Sequence, residues 1–184
     1  MNDSQKFGFK ITIVGNGSVG KTSLIKKFTQ GSFQKEYIKT IGAQWSEYDV
    51  EINGDQVRLL FWDIAGQDDF LFLRPSFYRE SRAAIIVFSL EENDLGKRSF
   101  DHINDWHEDI KKHCGDIPIV VFANKVDLVN EQNLNRTKIQ GIIEERNFLD
   151  YYLTSAKTGQ GVHEAFNAII TELYSKFKAL STKS

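Results

Sequence analysis

A single cysteine, Cys114, in 184 residues rules out an internal disulfide framework or a cysteine zinc site, and fits a reducing compartment. No apolar run approaches the ~20 residues that a membrane helix needs. The first residues, Met1-Asn2-Asp3-Ser4, hold neither a hydrophobic signal segment nor a glycine at position 2 for myristoylation. Neither charge dominates: 23 basic residues against 25 acidic ones give no electrostatic case for nucleic-acid binding. No internal repeat, low-complexity tract or linker divides the chain. These absences leave a cytoplasmic, single-domain reading, with 41% hydrophobic residues and 14 phenylalanines to build one core.

What is present is more specific. Residues 15–22 read Gly15-Asn16-Gly17-Ser18-Val19-Gly20-Lys21-Thr22, the pattern G-x-x-x-x-G-K-[ST], directly after the apolar run Phe9 to Val14. A strand emptying into a glycine-rich turn, with a helix opening at Lys21, aims backbone N–H groups and a helix dipole at one spot, which suits a polyphosphate. Lys21 is expected against the β- and γ-phosphates and the Thr22 hydroxyl on Mg²⁺. Glycines also serve such turns for steric reasons alone, but the Lys-Thr pair and the preceding strand favour the phosphate reading.

Apolar β-rich runs alternate with segments of helical period, the pattern of an α/β sheet covered by helices. Strands are predicted at about 8–14, 43–52, 56–62, 83–89, 117–123 and 150–154. Asn53-Gly54 joins the second and third in a tight hairpin, so that pair is predicted antiparallel. The fourth and fifth are continuous apolar runs, as in central strands buried on both faces, with Pro118 tolerated at a strand start. Phe100, Ile103, Trp106 (or His107) and Ile110 mark one helical stripe; Val162, Phe166, Ile169, Ile170, Leu173 and Phe177 mark another. Residues 1–7 are expected to be flexible, 8–178 to form the domain, and 179–184 to be a frayed polar tail.

A bound nucleotide needs a γ-phosphate sensor and a completed magnesium shell at neighbouring strand ends. The third strand runs into Asp63-Ile64-Ala65-Gly66-Gln67. Asp63 is placed to reach Mg²⁺ through a water, Gly66 to offer its N–H to the γ-phosphate, and Gln67 to hold an attacking water in line. Taken singly, Asp63 reads as a turn aspartate and Gln67 as a solvated glutamine; their spacing after the loop changes that. The catalytic set is thus Gln67, Lys21 and Gly66. Gly17 contributes by absence, since any side chain there would crowd Gln67.

The fifth strand ends in Asn124-Lys125-Val126-Asp127. A carboxylate accepts two parallel hydrogen bonds, matching the N1–H and N2 amino donors of guanine and repelling the N1 lone pair of adenine. Thr154-Ser155-Ala156-Lys157 closes the sixth strand, where the Ala156 N–H is expected to meet the guanine carbonyl while Lys125 and Lys157 cover the ring faces. Between the first helix and second strand, Thr40 is the second Mg²⁺ hydroxyl, and Phe33 either lies against the base or packs in the core. The expected nucleotide contacts are Gly15, Gly17, Ser18, Val19, Gly20, Lys21, Thr22, Ser23, Phe33, Tyr37, Thr40, Gly66, Asn124, Lys125, Asp127, Ser155, Ala156 and Lys157; the metal set is Thr22, Thr40 and Asp63.

In order and spacing these segments resemble the Ras superfamily of small GTPases from about residue 8 to 178, with Thr40-Ile41-Gly42, Trp62 to Gln67 and Phe77-Tyr78-Arg79 closest to its Rab branch. The resemblance implies a three-layer P-loop GTPase fold: a six-stranded, mostly parallel sheet with one antiparallel edge strand, flanked by five helices. It also implies two switch segments, about 33–42 and 63–80, ordered by GTP on Mg²⁺ and released by hydrolysis to GDP. Expected partners are effector, exchange-factor and GTPase-activating proteins around a monomer, in regulation resembling that of membrane traffic. A non-hydrolysing GTP-binding module is the alternative. None of Arg74, Arg79 and Arg82 is assigned as an arginine finger, so slow intrinsic turnover is expected, with a partner's finger adding roughly 10³- to 10⁵-fold. Two positions depart from the common pattern, Ile64 for threonine and Ala123 for glycine. The tail, Phe177 to Ser184, shows no cysteine for a prenyl anchor, which leaves membrane association open.

Overall fold

The computed structural model describes residues 4–31, 42–66 and 74–181. Its strands are β1 (Lys6–Val14), β2 (Ala43–Ile52), β3 (Asp55–Ile64), β4 (Ala83–Ser89), β5 (Ile119–Asn124) and β6 (Tyr151–Thr154). They form one sheet in the order β2-β3-β1-β4-β5-β6. All neighbours are parallel except β2 and β3, which are antiparallel across the Asn53-Gly54 turn, where both residues take the positive φ such a hairpin needs. β4 and β5 are buried at every position, which is why their sequences carry no alternation.

The helices are α1 (Lys21–Gln30), α2 (Arg74–Tyr78), α3 (Asp94–Asp101), α4 (Ile103–Cys114), α5 (Arg136–Arg146) and α6 (Val162–Ser181). α3 and α4 are two halves of the helix predicted as one, separated at His102, whose N–H still bonds Arg98 and whose carbonyl still accepts from Trp106. Counted so, the described residues hold the five expected helices. None of the described helices is long and apolar enough to cross a membrane.

Alternate residues of the strands feed two cores. On one sheet face Ile11, Ile13, Val87 and Phe122 meet α1 and α6, where Phe166 stacks on Phe28 at 4.4 Å and meets Phe61 and Phe122 edge-on. On the other, Val14, Ile86 and Val121 meet Ile103, Trp106 and Ile110 of α4 and Ile139 and Ile143 of α5. Trp106, rather than His107, joins the α4 stripe in this core. Each fully buried side chain of this size stabilises by roughly 1.5–3 kcal/mol.

Several boundaries differ from expectation for tertiary reasons. β3 continues to Ile64 because β2 pairs with it through Ala43, so Asp63 sits inside the strand rather than past it. β5 begins after Pro118, whose carbonyl accepts the Ala84 N–H at 3.0 Å. At the sheet's other end β1 begins at Lys6 and α6 persists to Ser181. Buried Asp55 explains both: it accepts from the Gln5 N–H at 2.9 Å, the Tyr174 hydroxyl at 2.8 Å and Lys178 Nζ at 2.7 Å. Those three donors hold its carboxyl down to about 2.

Candidate functional site

The sheet register brings separated segments to one edge. Val14, the last residue of β1, pairs with Ile86 of β4; Asp63 of β3 pairs opposite Ile13; and Asn124 of β5 lies between Ser89 and Thr154. β1 lies between β3 and β4, and the chain leaves it for β2 and β3 on one side before crossing to β4 on the other, so the loop after β1 stands at a topological switch point, where open α/β sheets place ligands.

That loop is shaped by close approaches. Gly20 has φ 102°, and a Cβ there would lie 2.3 Å from Asn124 Nδ2. Gly66 packs directly on the loop, since its Cβ would lie 2.2 Å from the Gly15 carbonyl oxygen and 2.5 Å from the Gly17 nitrogen. α1 starts at Lys21 with no side-chain cap and no acidic residue in its first turn, the condition of a helix N-terminus suited to an anion. Lys21 curls back over the loop, donating to the carbonyls of Gly15 at 2.7 Å and Asn16 at 3.0 Å. Burial pulls its ammonium down to about 8, with Asp63 opposing that and Arg74 adding to it. Thr22 donates its hydroxyl to the Asp63 carboxylate.

Asn124 joins three segments. Its amide nitrogen donates to the Val19 carbonyl at 2.8 Å, and its amide oxygen accepts from the Thr154 hydroxyl at 3.2 Å and the Ala156 N–H at 3.3 Å. The Ala156 N–H, expected to face a base carbonyl, is therefore directed at Asn124 here. Asp127 Oδ1 accepts the Ser155 hydroxyl at 2.6 Å, and Lys157 Nζ lies 3.9 Å from Asp127 Oδ2. Lys125 holds the left-handed conformation, φ 68°, and starts the short turn Val126–Leu128 that presents Asp127.

Of the expected site residues, Gly15, Gly17, Ser18, Val19, Gly20, Lys21, Thr22, Ser23, Asp63 and Gly66 gather at the phosphate loop, while Asn124, Lys125, Asp127, Ser155, Ala156 and Lys157 gather at the ends of β5 and β6. Phe33, Tyr37, Thr40 and Gln67 lie outside the described residues. Asn16 was missed. Its side chain accepts from Trp106 Nε1 at 3.0 Å and lies 2.9 Å from His102 Nδ1, tying the loop to α4. Position alone gives no sign of this, because both partners lie more than eighty residues away.

A model of the Ras family matches residues 10–175. Among known proteins the chain is similar to Ras-related protein Rab-21 of Bos taurus, 34% identical over 161 residues that cover 87% of this chain and 70% of that protein. It is likewise similar to Ras-related protein Rab-21 of Homo sapiens, 33% identical over 161 residues that cover 87% of this chain and 69% of the relative. The match runs from within β1 to within α6 and so spans the sheet edge just described: the chain belongs to the Ras family, whose members bind and hydrolyse GTP as molecular switches.

Proposed function

We propose that this GTPase holds the phosphates of GTP on the loop 15–22, reads guanine with Asp127, and reports the γ-phosphate through Gly66 to partner proteins. The observation that carries the reading is the Asn124 joint, which fixes the phosphate loop against the segment bearing Ser155, Ala156 and Lys157. One nucleotide laid along this edge has its phosphates at the open N-terminus of α1 and its base between Lys125 and Lys157. With Oδ1 on Ser155, Asp127 is fixed in orientation for the two parallel donors of guanine.

Ras-family GTPases work with Mg²⁺. The residues present fit that ion, since the Thr22 hydroxyl and Asp63 carboxylate already converge and supply the hard oxygens Mg²⁺ prefers. Thr22 would hold it directly and Asp63 through a water, with Thr40 as a second hydroxyl. Bound there, the ion neutralises charge developing on the phosphates. Lys21 adds positive charge beside the same oxygens. Gly66, pressed onto Gly15–Gly17, would offer its N–H to the γ-phosphate, and Gln67, next in sequence, would orient the attacking water.

Membership of the Ras family disfavours the alternative of a non-hydrolysing GTP-binding module. The expected regulators are exchange factors, activating proteins and effectors, and the likeness to Rab-21 supports a place in membrane traffic. The test is Asp127→Asn, which exchanges an acceptor for a donor. Competition binding is expected to show weaker GDP and stronger xanthosine diphosphate; unchanged guanine preference would remove Asp127 as the reader.

A further inference from the structure

The ammonium of Lys125 is not left to solvent. It donates to Glu91 Oε2 at 2.5 Å, and both side chains are mostly covered, 24% and 21% exposed. Glu91 lies just beyond β4, and its backbone position is set from several sides. Leu90 N–H bonds the Asn124 carbonyl at 2.9 Å. The Glu91 N–H donates to Ser89 Oγ at 3.3 Å, and that hydroxyl donates back to Glu91 Oε2 at 2.9 Å. Gly96 at the start of α3 approaches so closely that a Cβ there would sit 1.9 Å from the Glu91 carbonyl oxygen. Burial pushes the Glu91 carboxyl up, but the hydrogen bonds from Lys125 and Ser89 outweigh it and leave the acid below the usual range. A surface ion pair between two freely rotating chains has none of these supports and contributes little.

We propose that Glu91 is a positioning residue for nucleotide binding, acting through Lys125: the carboxylate fixes the lysine alongside the base before the nucleotide arrives. This rests on the reading of the end of β5 as the guanine site. A long lysine that is already ordered loses less rotamer freedom when a base packs against its stem, so the fixed lysine retains nucleotide longer. The charge of the ammonium is balanced locally, which leaves its methylenes as the surface offered to the ring. Ser89 keeps the carboxylate oriented toward Lys125, and Gly96 allows the peptide to sit where that orientation is possible.

The experiment is dissociation of N-methylanthraniloyl-GDP from the full chain with Mg²⁺, chased by unlabelled GDP, for Glu91→Ala, Glu91→Gln, Lys125→Met and the double variant Glu91→Ala/Lys125→Met. Glu91→Ala is expected to release nucleotide about three- to tenfold faster. Glu91→Gln, which keeps an acceptor oxygen without the charge, is expected between it and the unaltered protein. In the Lys125→Met background the Glu91 substitution is expected to change nothing further. Release unaltered by Glu91→Ala, or accelerated equally in both backgrounds, overturns the proposal while leaving the guanine site in place. Lys125→Met without effect overturns the base-site reading and the proposal with it. If Glu91→Ala does not fold, Glu91→Gln with and without Lys125→Met is judged by the same criterion.

Discussion

Replacing Asn124 with alanine is expected to loosen the site from within the protein rather than by removing a ligand contact. The side chain is buried, with 1% exposure, and its loss strands the Val19 carbonyl, the Thr154 hydroxyl and the Ala156 N–H. Each buried polar group left without a partner costs about 1–3 kcal/mol; with two of the three bonds at 3.2–3.3 Å and so near the low end, the sum is about 3–5 kcal/mol. That is a large share of the ~5–15 kcal/mol that holds an ordinary domain together. Urea unfolding measured with saturating GDP and again without nucleotide checks the origin, because a bound ligand adds its own stabilisation by mass action. The loss is expected under both conditions. Asn124→Asp, which turns an oxygen toward the Val19 carbonyl, is expected to be at least as damaging. A cost below about 1 kcal/mol, or one that disappears without nucleotide, would refute the role of Asn124 as a joint.

Two further outcomes follow from ionisation. In nucleotide-free protein Lys21 titrates near 8 instead of 10.5, and phosphates restore its charged form, so GDP binds best below pH 8 and weakens above it. By isothermal titration the affinity is expected to fall about fourfold from pH 7 to 8.5, with proton uptake visible as buffer-dependent heat; a flat profile would refute the burial argument. Asp55, held at about 2 against an ordinary 3.8, contributes stability present above pH 3.8 and lost as pH falls through 2. Acid unfolding of Asp55→Asn is expected to lack that loss, and an unchanged acid transition would count against the triple contact with Gln5, Tyr174 and Lys178.

Local chemistry was legible in the sequence wherever one segment sufficed to specify it. The loop 15–22 carries its own glycines, lysine and threonine, the hairpin its Asn53-Gly54, and β4 and β5 their unbroken apolar runs. Properties set by pairing between distant segments were not legible. Asp63 lies within a strand because Ala43, twenty residues earlier, extends the ladder to Ile64. Asn124 has its amide filled by Val19, Thr154 and Ala156, none adjacent in the chain. The division of α3 from α4 at His102 breaks a stripe whose period alone continues through it.

The same long-range packing joins α4 to the phosphate loop and to α2, which its sequence does not announce. The indole of Trp106 donates to Asn16 in the phosphate loop, and the guanidinium of Arg74, the first residue of α2, lies over that indole at 4.3 Å. Arg74 also faces Asp109 at 3.7 Å, and Asp109 accepts the hydroxyl of Tyr78, the last residue of α2, at 2.9 Å. Both ends of α2 are thus held by α4, which is itself anchored by fully buried Ile103 and Ile110. A displacement of α2 must uncover the indole or break the Asp109 contacts, and uncovering the indole alters the packing around the donor that holds Asn16. Trp106 is thus in contact with both the phosphate loop, through Asn16, and α2, through Arg74.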